Sequence, residues 1–302
     1  MKKVLFATTA LVMSMTAGVA VAEVAVTGDA RMGLIYDGND AQFSSRARVK
    51  FTLTGESDAG LSFGASFRAD NAGGAHDGTA GSVYISGAFG KLSMGDVDSA
   101  AGAAIGQVSY VGMTSLGSLN EILYIGTGGK NLGSGSFTSD PSVLYAYNAG
   151  DITAYASATN PSGDADAYGL AVKYATGAYS VGLAYESADL LSGVNLTQIS
   201  LGGSATFGAA TVKAVVSQMD TPLGNLNEYA LSVDYKVNAL TVTAFYQDSE
   251  DLLLTPLAQY GSNAYGVGAA YDLGGGASVK GGYVYNNTTS EDSFDLGVVM
   301  SF

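Results

Sequence analysis

The sequence predicts an all-β fold: a transmembrane antiparallel 16-stranded β-barrel. Three observations carry that prediction. Polar and apolar residues alternate with period two in sixteen segments, the pattern of strands whose successive side chains face opposite sides of a sheet. The connections between these segments alternate between tight turns and longer acidic loops. No stretch after residue 22 approaches the ~20 consecutive apolar residues of a membrane helix, yet mean hydropathy reaches +0.21. Alternation conceals apolar residues that a contiguous run would reveal.

Composition removes several function classes. The chain has 302 residues, with 13 Lys plus Arg against 27 Asp plus Glu and a net charge of −14. That balance argues against nucleic acid as a partner. Zero Cys excludes a disulfide scaffold, a thiolate zinc site, an iron–sulfur cluster and a cysteine enzyme. A single His excludes a multi-histidine metal site. Charged residues are only 13%, beside 42 Gly and 19 Tyr, which suits neither a disordered chain nor an ordinary soluble enzyme.

The N-terminus reads as a targeting segment. Met1-Lys2-Lys3 is basic, an uncharged run follows, and Ala20-Val21-Ala22 forms an A-x-A site before Glu23. This is the pattern of a secretory signal peptide, residues 1–22, in a bacterial exported protein. Small residues and Thr in its second half argue against an anchor. Loss of Lys2 and Lys3 takes the net charge to −16 and leaves a barrel domain over 23–302.

The predicted strands span 24–36, 42–56, 61–70, 81–88, 91–97, 141–149, 151–160, 166–175, 178–187, 195–207, 209–219, 227–237, 240–249, 263–273, 276–286 and 294–302. The second shows the pattern. Arg46, Arg48, Lys50 and Thr52 share one parity, and Ala47, Val49, Phe51 and Leu53 share the other. In the third, Leu61, Phe63, Ala65 and Phe67 oppose Ser62, Gly64, Ser66 and Arg68. Tight turns such as Phe89-Gly90, Thr176-Gly177 and Val237-Asn238-Ala239 supply the positive φ of hairpins. Longer loops fall between, at 71–80, 161–165, 188–194, 220–226, 250–262 and 287–293. Strands of about ten residues suit a tilted membrane crossing. An even strand number, with short turns at one end and long loops at the other, marks an outer-membrane barrel. Closure leaves no unpaired edge in lipid. A soluble sandwich could share the alternation but not the ordered succession of short and long connections. A β-helix would show a fixed short repeat, which the sequence lacks.

Aromatic residues support the same reading. Tyr174, Tyr179, Phe207, Tyr235, Tyr271 and Phe302 flank tight turns or the chain end. Tyr36, Tyr168, Tyr185, Tyr229, Tyr265 and Tyr285 lie near the long loops. Two such sets at opposite strand ends form interfacial girdles.

One connection is out of scale. About 97–140 contains no convincing strand but holds Ile105, Val108, Val111, Leu116, Leu119 and Ile122. Loops this long are functional or disordered, and a loop this apolar must pack on something. It either folds into the lumen, which sixteen strands make wide enough for an aqueous channel, or caps the barrel outside, or meets another subunit.

Several segments resemble one family. Glu23-Val-Ala-Val-Thr-Gly-Asp-Ala-Arg-Met-Gly-Leu-Ile-Tyr-Asp-Gly, then Phe43-Ser-Ser-Arg-Ala-Arg-Val, resemble the mature start of alphaproteobacterial general diffusion porins. Gly60-Leu-Ser-Phe-Gly-Ala-Ser-Phe-Arg, Ser86-Gly-Ala-Phe-Gly-Lys-Leu-Ser-Met-Gly-Asp, Tyr145-Ala-Tyr-Asn-Ala-Gly and the terminal Phe302 are similar too. The resemblance implies a trimeric sixteen-stranded barrel whose long inward-folded loop, 97–140, constricts a channel. It also implies passive diffusion of ions and small hydrophilic solutes, with outer-membrane lipid and lipopolysaccharide as surroundings.

Candidate site residues follow from charge and parity. Arg46, Arg48 and Lys50 share one strand face, Arg68 sits on the polar parity of the next, and Arg31 lies on the first strand with Asp29. Arg on a lipid-facing position costs about 2–4 kcal/mol at mid-membrane, which favours the lumen. The resemblance places Arg31, Arg46 and Arg48 in the cationic wall of a pore eyelet; neutralisation of Asp29 and Asp70 is the plainer role. On the opposing loop the family carries carboxylates, where this chain has only Asp98, Glu121 and Asp140 beside Lys130. Glu121 and Asp98 are the acidic candidates. Rings of Arg or Lys favour anions, whereas a net acidic surface draws cations to the mouth.

Other signals carry less. No cofactor is expected. Acidic external loops with Asp37, Asn39 and Asp40, or with Asp248, Glu250 and Asp251, offer oxygens for Ca²⁺ without an EF-hand spacing. His76 lies in a Gly-rich loop with no triad geometry implied. Gly126-Thr-Gly-Gly-Lys130 lacks the spacing and the Ser/Thr of a phosphate loop. Two function classes compete: a passive channel, general or solute-specific, and a plugged barrel with a binding or adhesion role.

Overall fold

The computed structural model describes residues 23–70, 81–125, 142–159, 165–190, 193–222, 224–250, 252–255, 258–260 and 263–302. The expected signal peptide, His76, Lys130 and Asp140 lie outside the described residues.

The described strands are β1 (Glu23–Tyr36), β2 (Ala41–Glu56), β3 (Ser62–Asp70), β4 (Gly81–Gly87), β5 (Gly90–Gly95), β6 (Ser142–Ala149), β7 (Ile152–Ala158), β8 (Ala165–Ala175) and β9 (Tyr179–Leu190). They continue with β10 (Asn195–Phe207), β11 (Ala210–Thr221), β12 (Gly224–Val237), β13 (Leu240–Ser249), β14 (Leu252–Thr255), β15 (Ala258–Tyr260), β16 (Asn263–Gly274), β17 (Ala277–Asn286) and β18 (Glu291–Ser301). Each pairs antiparallel with its neighbour, and β1 pairs with both β2 and β18, so the sheet closes into a barrel. Among the described residues only β14 and β15 stand apart, as a small hairpin inside the connection from β13 to β16.

All sixteen predicted segments are barrel strands, with differences at their ends. Loop 220–226 is mostly strand, because β11 runs to Thr221 and β12 begins at Gly224. β18 begins at Glu291 rather than 294, and the 250–262 loop contains the β14–β15 hairpin. Pairing with a neighbour carries these strands past the point where their apolar alternation ends, whereas β5 stops at Gly95 and β7 spans only Ile152–Ala158. The tight turns use left-handed backbone: Gly208 has φ 61° and Asn238 φ 54°.

Burial is inverted relative to a soluble fold. Along β10 the polar Gln198 and Ser200 are 1% and 2% exposed, whereas Ile199 is 58% exposed. Leu183, Leu231 and Val267 stand outward in the same way on β9, β12 and β16. An apolar belt of this extent on a soluble monomer would far exceed the usual exposed patch. Lipid accounts for it. Tyr174, Tyr179, Phe207, Tyr235 and Tyr271 are exposed beside the tight turns, and Tyr168, Tyr185, Tyr229 and Tyr265 toward the other end. Tyr36 stacks on Phe294 at 5.1 Å and Tyr265 meets Tyr285 at 5.6 Å.

Leu183→Arg tests the belt. Folding into lipid vesicles, followed by denaturant titration, should show a loss of about 2–4 kcal/mol relative to Leu183→Ala. A soluble-like surface position would lose almost nothing.

Candidate functional site

The basic residues assemble through strand register. Arg31 on β1 lies opposite Arg46 on β2, Asp29 opposite Arg48, and Thr27 opposite Lys50. Lys50 in turn lies opposite Arg68 on β3. Strand geometry puts neighbours about 5 Å apart across the sheet and about 7 Å apart along it. The structure therefore brings all five predicted cations into one patch on β1–β3. Arg46 Nη2 donates to Asp29 Oδ1 at 2.8 Å, so the expected neutralising pair with Asp29 forms. The Asp70 side chain lies outside the described residues. Like charges facing each other destabilise a sheet unless water and salt screen them. Arg31, Arg46, Arg48 and Arg68 are half-buried and Lys50 is exposed, which such screening requires.

The long loop leaves β5 and folds into the barrel. Its first element, α1 (Ala100–Ala104), is capped by Ser99, whose Oγ accepts from Gly102 N–H at 3.1 Å. Ala100 and Ala101 are fully buried, because only small side chains fit this close to the wall. Ser157 Oγ on β7 accepts from Ala100 N–H at 2.9 Å, and Glu186 Oε1 on β9 from Ala101 N–H at 3.3 Å. Further on, Ser109 N–H donates to Ser232 Oγ and its hydroxyl to Asp234 Oδ2, both on β12, at 2.9 and 2.6 Å. Asp295 on β18 then takes three bonds, from Met113 N–H, Thr114 N–H and Thr114 Oγ1, at 2.9, 2.6 and 2.7 Å. The chain returns to β12 and β10, where Leu123 N–H donates to Glu228 and Ile125 N–H to Gln198. Between these bonds Val108, Val111, Leu116, Ile122 and Tyr124 pack on Ala184, Val215, Phe245 and Val284. The core of this protein thus lies between loop and inner wall. These anchors occupy β7, β9, β10, β12 and β18, and the basic patch occupies the arc β1–β3.

Asp98 and Glu121, the predicted acidic candidates, come together. Both line a cavity of about 820 Å³, with Gln107, Ser109, Tyr110 and Lys213. Glu121 accepts a short hydrogen bond from the Tyr110 hydroxyl. Partial burial, then this bond and the carboxylate's charge, hold that hydroxyl above the ordinary tyrosine range, so it remains a donor. Burial, with Glu186 and Glu228 nearby, likewise raises Tyr124, whose hydroxyl donates to the Gly106 carbonyl at 2.7 Å.

Sequence reading missed the wall residues that hold the loop: Glu186, Gln198, Glu228, Asp234 and Asp295. It also missed Lys213 as the cation beside Asp98 and Glu121. The available signal was a carboxylate or amide on the inward parity of a strand, as in Tyr185-Glu186-Ser187. At the external turn, Asp37 Oδ1 accepts from the Asn39 and Asp40 N–H groups and Oδ2 from Gln42. Those backbone bonds lower the Asp37 pKa.

A closed sixteen-stranded barrel with a long loop bonded along its inner wall meets its match in sequence comparison: residues 7–291 match the Gram-negative porin family. The chain belongs to that family. This porin is 38% identical to the porin of Rhodobacter capsulatus, over 93% of this chain and 100% of that one. It is 26% identical to the porin of Fuscovulum blasticum over the same shares. A solved porin structure refined at 1.8 Å resolution superposes with a TM-score of 0.79 at 35% identity, covering 93% of this chain and 100% of the other. The porin is an outer-membrane β-barrel that forms a general diffusion channel.

Proposed function

We propose that the bore passes between the basic patch, Arg31, Arg46, Arg48, Lys50 and Arg68, and the loop edge that carries Asp98 and Glu121. The observation that supports this most is the division of the wall: the loop's hydrogen-bonded anchors lie outside β1–β3, its apolar side chains reach β1 at Gly33 and Ile35, and the cations sit on this arc. Ions and small hydrophilic solutes then cross a slot with a cationic side and a weaker acidic side. Glu121 is partly engaged by Tyr110, which leaves the patch dominant at the narrowest part. The same reading makes the porin a homotrimer in an outer membrane containing lipopolysaccharide, exported through the periplasm after removal of residues 1–22, with Ca²⁺ at acidic external loops.

Single-channel recording across a planar bilayer with a salt gradient tests it. Conductance steps in groups of three are expected, with a zero-current potential of the sign for mild anion preference. A folded barrel that passes no current would reverse the reading and make the loop a plug.

A further inference from the structure

At two of the places where the loop is seated on the wall, glycine is paired with a carboxylate across the sheet. In the first, Gly169 on β8 lies opposite Glu186 on β9, and Gly182 on β9 lies opposite Gly202 on β10. In the second, Gly282 on β17 lies opposite Asp295 on β18. The carboxylates draw in the backbone N–H groups of Ala101 and of Met113 and Thr114. The glycines leave room for them to arrive.

The room is small. A Cβ on Gly182 would lie 3.0 Å from both the Ala104 carbonyl oxygen and Ile105 Cγ1. On Gly202 it would lie 2.5 Å from Ile105 Cγ2, and 3.0 and 3.1 Å from the Ala214 carbonyl oxygen and Val215 Cγ2 of the wall. On Gly282 it would lie 2.5 Å from Gly112 N and 2.7 Å from Gly112 Cα. Ordinary contact begins at 3.4 Å. At Gly182 and Gly282 the three nearest atoms all belong to the loop, so the tightest contacts of a side chain there would be with the loop. Glycine inside a strand costs backbone entropy and contributes no packing. These two glycines therefore serve the loop, not the strand.

We propose that Gly182 and Gly282 are positioning residues that set the bore of the channel by letting the loop lie flush against the wall. A methyl group at position 282 meets backbone, which no rotamer change relieves. The loop must then move by about 1 Å toward the lumen to regain ordinary contact. This inference rests on the reading that the loop borders the bore.

The test is unit conductance of folded Gly182→Ala, Gly282→Ala and Gly282→Val channels, together with exclusion of neutral polymers of graded size. Each variant is expected to pass less current per channel, falling in the order Gly, Ala, Val at position 282, with a smaller polymer cut-off. Gly202→Ala should behave likewise, and adding Ile105→Ala should restore part of the current, the contact with the Ala214 carbonyl remaining. A merely structural role would lower yield, heat resistance and the number of channels, but not the current through each one. Should Gly282→Val not fold, Gly182→Ala and the Gly202→Ala/Ile105→Ala pair give the same readout. Unchanged or increased unit conductance in the folded variants overturns the inference. If Arg46→Ala still shifts ion selectivity in that case, the bore reading stands without it; if neither changes, both fall.

Discussion

Replacing Arg31, Arg46 and Arg48 together by Ala should move the zero-current potential toward cation preference by roughly 10–20 mV in a tenfold salt gradient, against an ideal limit of about 59 mV. The three share adjacent rungs of β1 and β2, so their fields add. Arg46 is already paired with Asp29 at 2.8 Å. Removing all three therefore also releases the Asp29 carboxylate, which draws cations in turn. The shift should shrink at high salt, because the Debye length falls from about 10 Å at 0.1 M to about 3 Å at 1 M. A selectivity unchanged at low salt would place the patch away from the ion path.

Asp295→Ala should free the far end of the loop. One side chain accepts three hydrogen bonds from Met113 and Thr114 and is only 3% exposed. Each buried donor left unpaired costs about 1–3 kcal/mol, enough to favour a detached conformation in which water satisfies those groups. The barrel ladder itself is untouched, so its melting temperature should change little. Open-channel current noise should rise sharply, with flicker between sublevels. Asp295→Asn keeps one acceptor oxygen and should be intermediate. Quiet, unaltered channels in Asp295→Ala would mean that apolar packing alone holds the loop.

The two variants probe parts of the protein that were unequally legible in the sequence. Strand parity is local: Arg46, Arg48 and Lys50 declare their shared face within five residues, and pairing with β1 and β3 then brings Arg31 and Arg68 beside them. The sixteen strands were readable for the same reason, apart from ends such as Gly224 and Glu291, where pairing rather than pattern decides. The loop's path was not readable. It is set by bonds such as Met113 to Asp295, 182 residues apart in sequence, and Ala101 to Glu186, 85 apart. Nothing around Asp295 distinguishes it from an acid facing water. The apolar content of 97–140 announced that the loop packs, not which arc of the wall it chooses. Asp98 and Glu121 stood out as the loop's acids, but Lys213, which lines the same cavity, comes from a strand more than ninety residues downstream.

The seam between β1 and β18 sets how this molecule can be made and how it can vary. Phe302 exchanges backbone hydrogen bonds with Gly28 at 2.8 and 3.1 Å, so the end of β18 completes the pairing of the first strand. Without β18 this sheet stays open, and an open sheet in lipid leaves two strands with bare edges. Closure thus waits for β18 to meet β1. The antiparallel seam also needs both chain ends on the same side of the membrane. A related barrel that keeps an antiparallel seam can therefore widen or narrow only by whole hairpins, two strands at a time, and a single added strand would require a parallel seam.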